Sequence, residues 1–225
     1  MKKFTHNYLS LPELETQEIN GKRYYITPEG NYRPSITTLL GQTSKDGMAS
    51  WRASIGEEEA DKISSYACEV GTLFHEHVEK YLQNKENYLD NCTPHSKYMF
   101  IGVQDKLDNI DNILVQESAL YSDVLRIAGR TDCIAEYEGE LSIIDFKTSR
   151  KEKKEEWIEN YFVQGTAYSL MLEEMTRIKV NNITIIMSVY DSTPIVFKTK
   201  RNKHYKSLAD IIKKHLPDLE YKNEI

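Results

Sequence analysis

Between residues 113 and 149 the chain carries three strand-like runs in succession, "ILVQESALYS", "VLRIAGRTDCIAEYE" and "ELSIIDFKTS". β-Branched and aromatic residues recur through them, and Tyr137-Glu138-Gly139-Glu140 provides tight-turn chemistry between the last two. Short alternating runs joined by such a turn call for an antiparallel hairpin. The middle of the molecule is therefore a sheet, and the flanking segments decide what covers it.

Ahead of the sheet, "GKRYYITPEGNYRPS" (21–35) reads as a short β-ribbon turning at Pro28-Glu29-Gly30, with Ser35 as the N-cap of a first helix. Helices are expected over 48–66, 68–82 and 95–109, from apolar residues at helical spacing, with a polar loop over 83–94. Behind the sheet, a charged stretch leads into a helix over 155–175. Two strands follow within 181–200 around an Asp191–Pro194 turn, and a last helix covers 202–215. The expected fold is α/β: a central mixed, mostly antiparallel sheet flanked by helices, with a helical N-terminal part. One domain spans 1–225, divided into a ribbon-and-helix front (1–110), the sheet with its crossover helix (111–200), and a C-terminal helix and tail (201–225).

A chain of 225 residues with 40% hydrophobic and 28% charged residues buries a real core. Its net charge of −6 argues against nonspecific coating of nucleic acid, although a local basic groove is compatible with it. No run approaches the ~20 apolar residues that span a bilayer, and the start has no apolar segment of the kind that leads secretion. The three cysteines, Cys68, Cys92 and Cys133, are scattered, which suits reduced thiols in a cytoplasm and cannot build a four-cysteine cluster.

The chemistry gathers on the sheet. Side chains alternate faces along a strand, so Asp145 and Lys147 point one way while Ile144 and Phe146 point the other. Asp132 and Glu117 lie on the two preceding strands. An Asp-x-Lys by itself is ordinarily a surface ion pair, so its surroundings must decide. Carboxylates brought close raise one another's pKa, and a divalent cation held by hard oxygen ligands relieves that conflict. Mg²⁺ or Mn²⁺ fits such a patch, with the Phe146 carbonyl as a further ligand. Lys147 beside it can orient or deprotonate a water, or stabilise charge on a phosphate. On helices, His75 and Glu79 are four apart, as are Gln164 and Tyr168, so each pair shares a face.

Taken in order, Gly71-x-x-x-His75, Glu117, Gly129-Arg130-x-Asp132, Asp145-x-Lys147-Thr148-Ser149 and Gln164-x-x-x-Tyr168 resemble the PD-(D/E)XK nucleases of the RecB type. The resemblance is to the branch that contains the mitochondrial genome-maintenance exonuclease and its phage-encoded relatives. It covers about Pro34 to Tyr168, including "PSITTLL" and Trp51-Arg52. It implies a restriction-endonuclease-like core and a metal-dependent DNA exonuclease acting at single-stranded ends or flaps, in replication, repair or degradation. Asp132, Asp145, Lys147, Glu117, Gln164 and Tyr168 would be its catalytic set, and His75, Asp132, Asp145 and Phe146 its metal ligands. DNA would meet Ser35, Trp51, Arg52, Thr148, Ser149 and Arg150.

No iron–sulfur cluster and no membrane are expected. The chain would act as a monomer, with a replication or repair protein as an open partner, in a bacterial or phage-infected cytoplasm. Two other readings stay open: a structure-specific endonuclease using the same centre, and a non-cutting DNA-binding subunit with a nuclease fold.

Overall fold

The computed structural model describes residues 2–220; the last five positions of the expected C-terminal tail lie outside them. The chain opens with a three-stranded antiparallel sheet of β1 (Glu15–Ile19), β2 (Lys22–Ile26) and β3 (Tyr32–Pro34). The expected ribbon is β2–β3; β1 joins it across an Asn20-Gly21 turn that the sequence reading passed over. Three helices follow: α1 (Ile36–Thr43), α2 (Lys45–Ile55) and α3 (Glu57–Leu82). Ser35 caps α1, its hydroxyl accepting from the Thr37 amide.

The expected helices over 48–66 and 68–82 divide differently. α3 runs unbroken through Tyr66–Cys68, where nothing interrupts the backbone ladder, and the break falls at Gly56, with φ 88°. A residue with no Cβ takes that conformation without strain, so the chain turns there. α4 (Pro94–Leu107) begins on a capping box in which Thr93 and Ser96 exchange hydrogen bonds.

The main sheet has the order β4 (Ile110–Ser122), β5 (Ile127–Tyr137), β6 (Glu140–Ser149), β7 (Asn182–Val189) and β8 (Ile195–Lys200). β6 and β7 are parallel, joined by the crossover helix α5 (Glu159–Thr176); every other pairing is antiparallel. α6 (Tyr205–His215) follows β8. The architecture is thus α/β with a mixed, mostly antiparallel sheet between helices. No helix among the described residues is long and apolar enough to cross a membrane.

Strand alternation divides the core into two layers. Ile143, Ile183 and Ile185 pack with Val163, Ala167 and Met171 of α5 and Ile36 and Leu39 of α1. On the other face Ile144, Phe146 and Ile186 pack with Phe74, Val78 and Leu82 of α3 and Phe100 and Val103 of α4. Each such large side chain contributes ~1.5–3 kcal/mol by leaving water. Both layers grip β6, which fixes the strand carrying Asp145 and Lys147.

Candidate active site

β5 and β6 pair only from Cys133↔Ile144 down to their turn at Tyr137↔Glu140. Above that point β5 pairs with β4 and, through one bridge at Ala128, with Ser35, while β6 pairs with β7. Asp132 stands where the two strands part, and its Oδ2 accepts the Phe146 N–H at 2.8 Å. The carboxylate thus replaces the missing strand as a hydrogen-bond acceptor. The N–H and C=O of one strand residue face the same side, so the Phe146 carbonyl looks into the same opening.

Opposite Asp132, β4 is also irregular. Gln116 pairs with Cys133 and Ser118 with Thr131, leaving Glu117 out of the ladder at φ 45°. Left-handed backbone costs a residue with a Cβ roughly 1–2 kcal/mol, and such strain collects at functional sites. Arg130 steadies the position by donating to the Glu117 carbonyl at 2.8 Å.

α3 brings the third contributor: His75 Nδ1 lies 3.7 Å from Asp132 Oδ2. Ligand atoms of His75, Glu117 and Asp132 all lie within 4.8 Å of one another. Both oxygens of Asp145 are buried with no well-aligned hydrogen-bond donor, although the Lys147 ammonium stands 2.5 Å from Oδ2. One imidazole nitrogen, two carboxylates and an under-satisfied third carboxylate fit a divalent cation of the Mg²⁺ or Mn²⁺ kind. Of the expected metal ligands, the structure thus gathers His75 and Asp132, together with Glu117, the further carboxylate expected beside them. Asp145 is committed to Lys147 and stands outside that group of three.

The electrostatics follow from crowding. Burial, then the nearby Asp132 and Glu79, push Glu117 up to about 8, with Arg130 opposing. Burial also raises Asp145, against the pull of Lys147. For Lys147, burial acts to lower the pKa, but Asp145 and Asp132 outweigh it and hold the ammonium above its ordinary range. The carboxylate repulsion anticipated from the sequence is present. Glu79 itself accepts from Gln83 at 2.9 Å and acts on Glu117 through its charge.

α5 covers the site from the other side. Gln164 Nε2 donates to the Tyr168 hydroxyl at 3.1 Å, and both side chains are buried. Tyr168 packs so closely on β5 that a Cβ on Gly129 would sit 2.8 Å from its ring and 2.9 Å from Ile36. The pair therefore supports the strand carrying Asp132 from within the core. A residue the sequence reading missed completes this face: Lys147 Nζ lies 5.2 Å from the centre of the Tyr161 ring. The signal was its spacing, three and seven residues before Gln164 and Tyr168, on one face of the helix.

The residues expected to meet DNA are scattered. Ser35 is buried as the α1 cap and shares a hydrogen bond with Thr37 at 2.6 Å. Arg52 is held by Glu57 and, at 2.6 Å, by Asp61, which occupies its guanidinium. Trp51 is half-buried on α2. Thr148 and Ser149 are half-buried and Arg150 exposed where β6 leaves the site. Tyr24, Tyr25 and Phe74, three aromatics of the front section, belong to the buried core. Arg150, Lys151 and Lys153, where the chain leaves β6, carry no ion pair among the described residues. Lys198, Lys200 and Arg201 are paired with Glu138, Glu140 and Glu173, at the end of the sheet away from Lys147.

Comparison with known proteins gives the same direction. Residues 93–216 match the model of the PD-(D/E)XK nuclease superfamily. The chain is 33% identical over 137 residues to the Mus musculus protein named mitochondrial genome maintenance exonuclease 1, covering 57% of this chain and 40% of that one. It is 31% identical over 150 residues to the Homo sapiens protein of that name, covering 63% and 42% respectively. For the Xenopus tropicalis protein of that name the figures are 28% over 206 residues, 84% and 58%. The match thus spans two-fifths of the mouse and human relatives and somewhat more than half of the frog one.

Proposed function

Since the chain belongs to the PD-(D/E)XK nuclease superfamily, we propose that it is a metal-dependent DNA exonuclease that hydrolyses phosphodiester bonds at single-stranded ends or flaps. The observation that carries this reading is the convergence of His75, Glu117 and Asp132 within 4.8 Å, beside the Asp145–Lys147 pair. The exonuclease names of the relatives support the direction of attack on an end.

His75, Glu117 and Asp132 would hold Mg²⁺ or Mn²⁺, with the Phe146 carbonyl and Asp145 at the edge of the site. A cation there supplies Lewis-acid stabilisation of charge building on the phosphodiester. Lys147 acts as a fixed donor: its ammonium hydrogen-bonds an attacking water or a phosphate oxygen from one side. Asp145 keeps that ammonium charged and aimed, and Tyr161 bounds its movement. Gln164 and Tyr168 hold β5 against α5, so that Asp132 stays at the parting of the strands. Thr148, Ser149 and Arg150 line the way out for the phosphate backbone.

We further propose that residues 1–225 form a single nuclease domain that works as a monomer, in replication, repair or degradation of DNA alongside a protein partner. A bacterial or phage-infected cytoplasm rests on the Lys-, Asn- and Ile-rich composition, whereas the curated relatives are mitochondrial by name.

The test uses end-labelled linear and circular single-stranded DNA, with RNA in parallel, in Mg²⁺, Mn²⁺ or EDTA. Linear DNA should be shortened from an end only when a metal is present. Cutting of circles would replace the exonuclease reading by an endonuclease one. Absence of cutting with retained DNA binding would leave a binding subunit.

A further inference from the structure

Beside the N-terminal half of α3 lies a groove of about 480 Å³ that contains none of the proposed metal ligands. Tyr66, His95 and Tyr190 line it, together with Thr148, Ser149 and Arg150 at the exit of β6. The rings form a chain: Tyr66 to His95 at 5.6 Å between centroids, His95 to Tyr190 at 4.5 Å, and Tyr190 to Tyr98 at 6.1 Å. Tyr66, Tyr98 and Tyr190 are 54%, 50% and 42% exposed, so the chain of rings faces solvent. Linked aromatic rings left open to water mark a binding surface more often than isolated apolar residues do. The Tyr66 hydroxyl and His95 Nδ1 lie 2.6 Å apart, which holds both rings, while His95 Nε2 is buried without a partner.

The groove begins one residue beyond Lys147, at Thr148 on β6. A Cβ on Gly71 would lie 3.7 Å from the Thr148 hydroxyl, so α3 touches β6 directly at this point. Gly71 precedes His75 by one helical turn, about 6 Å along the axis. A strand whose phosphate sits at His75, Glu117 and Asp132 would thus bring its neighbouring nucleotides over Thr148 and Arg150 to the rings. Glu59 is the one carboxylate lining the groove, among the described residues. Arg150 has no carboxylate partner there, which leaves it for a phosphate.

We propose that this groove is a base-stacking subsite for unpaired nucleotides of the strand being cut, with Tyr66, His95 and Tyr190 under the bases and Arg150 on the backbone. The proposal rests on the nuclease reading and specifies where its single strand runs. Stacking on aromatic rings tolerates any base, since every base has a π face, so the subsite would confer affinity for single strands without sequence preference.

The test measures anisotropy of a labelled oligo-dT and of an equally long abasic oligomer, in EDTA, on the full chain. Tyr66→Ala and Tyr190→Ala should each bind oligo-dT about tenfold more weakly, as loss of one stacked base implies. They should bind the abasic oligomer as the unsubstituted chain does. Tyr190→Phe keeps its ring and should keep the affinity, which separates stacking from loss of fold. Unchanged oligo-dT binding in both alanine variants overturns the subsite and points to another occupant, such as a protein segment, with metal-dependent cleavage left standing. Equal weakening on the abasic oligomer also overturns it. A chain that neither binds nor cuts any single strand overturns the subsite and the nuclease reading together.

Discussion

The Phe146 N–H donates to the Asp132 carboxylate across 2.8 Å, at the point where β5 and β6 part. One hydrogen bond thereby terminates a ladder and places an acidic residue in the gap. Because Phe146 is also anchored among Phe74, Val78 and Phe100, the gap is held as firmly as the core beneath it. The neighbouring residues on the same strand, Asp145 and Lys147, then face the opposite side, toward α5.

Asp145→Asn and Lys147→Ala are each expected to lower cleavage of end-labelled single-stranded DNA by at least ~10²-fold, the scale of losing one positioned charge stabiliser. Binding of the same DNA should persist. Wild-type cleavage rates in either variant would remove that residue from the mechanism.

As a cation ligand, Glu117 would stabilise the metal-bound protein at the expense of the empty fold, since it sits buried beside Asp132. Glu117→Gln is expected to raise the melting temperature in EDTA, by a stability gain on the order of 1 kcal/mol. The same change should weaken Mn²⁺ binding in calorimetry by more than the ~10–100-fold typical of losing an outer partner. A variant that binds Mn²⁺ as tightly as before is incompatible with Glu117 as a ligand.

Gly129→Ala places a methyl group 2.8 Å from Tyr168 and 2.9 Å from Ile36, where both neighbours belong to the packed core. Overpacking of this kind costs about 1–3 kcal/mol. Thermal denaturation should show that loss, and cleavage should fall with it because β5 carries Asp132. Unaltered melting would mean that α5 can move away from β5 freely.

Tyr81 gives a pH dependence outside the active site. Burial, then the hydrogen bond to Asp108, push its hydroxyl up to about 12, with Gln104 opposing and Tyr88 adding slightly. A tyrosine with a raised folded-state pKa binds its proton more tightly when folded. Its stabilisation is therefore complete below its ordinary value of ~10 and is lost as pH rises from there toward 12. Melting temperatures measured from pH 9 to 11 should fall less steeply for Tyr81→Phe than for the unsubstituted chain. Parallel slopes would show that Tyr81 does not contribute to alkaline unfolding.

Much of this was legible along the chain. The hairpin at Glu138-Gly139, the Ser35 cap and the shared face of Gln164 and Tyr168 each depend on residues a few positions apart. Periods of two and 3.6 residues express such relations directly. The helix boundary at Gly56 was missed because the acidic run beyond it continues a helical pattern, which obscured the break. Tyr161 was missed because its spacing on α5 marks the face it shares with Gln164 and Tyr168 but not the lysine on β6 that it meets.

By itself the sequence determined that Asp145 and Lys147 share one side of a buried strand, since alternation needs only the backbone. It also determined which residue types were available to hold a metal. Only the tertiary structure decided that His75, Glu117 and Asp132 meet while Asp145 turns to Lys147. That outcome depends on the register shift between Asp111 and Val115, on the irregular backbone at Glu117, and on where α3 crosses the parting of β5 and β6. Distances across strands and between layers are set by packing of residues far apart in the chain, and no local period records them.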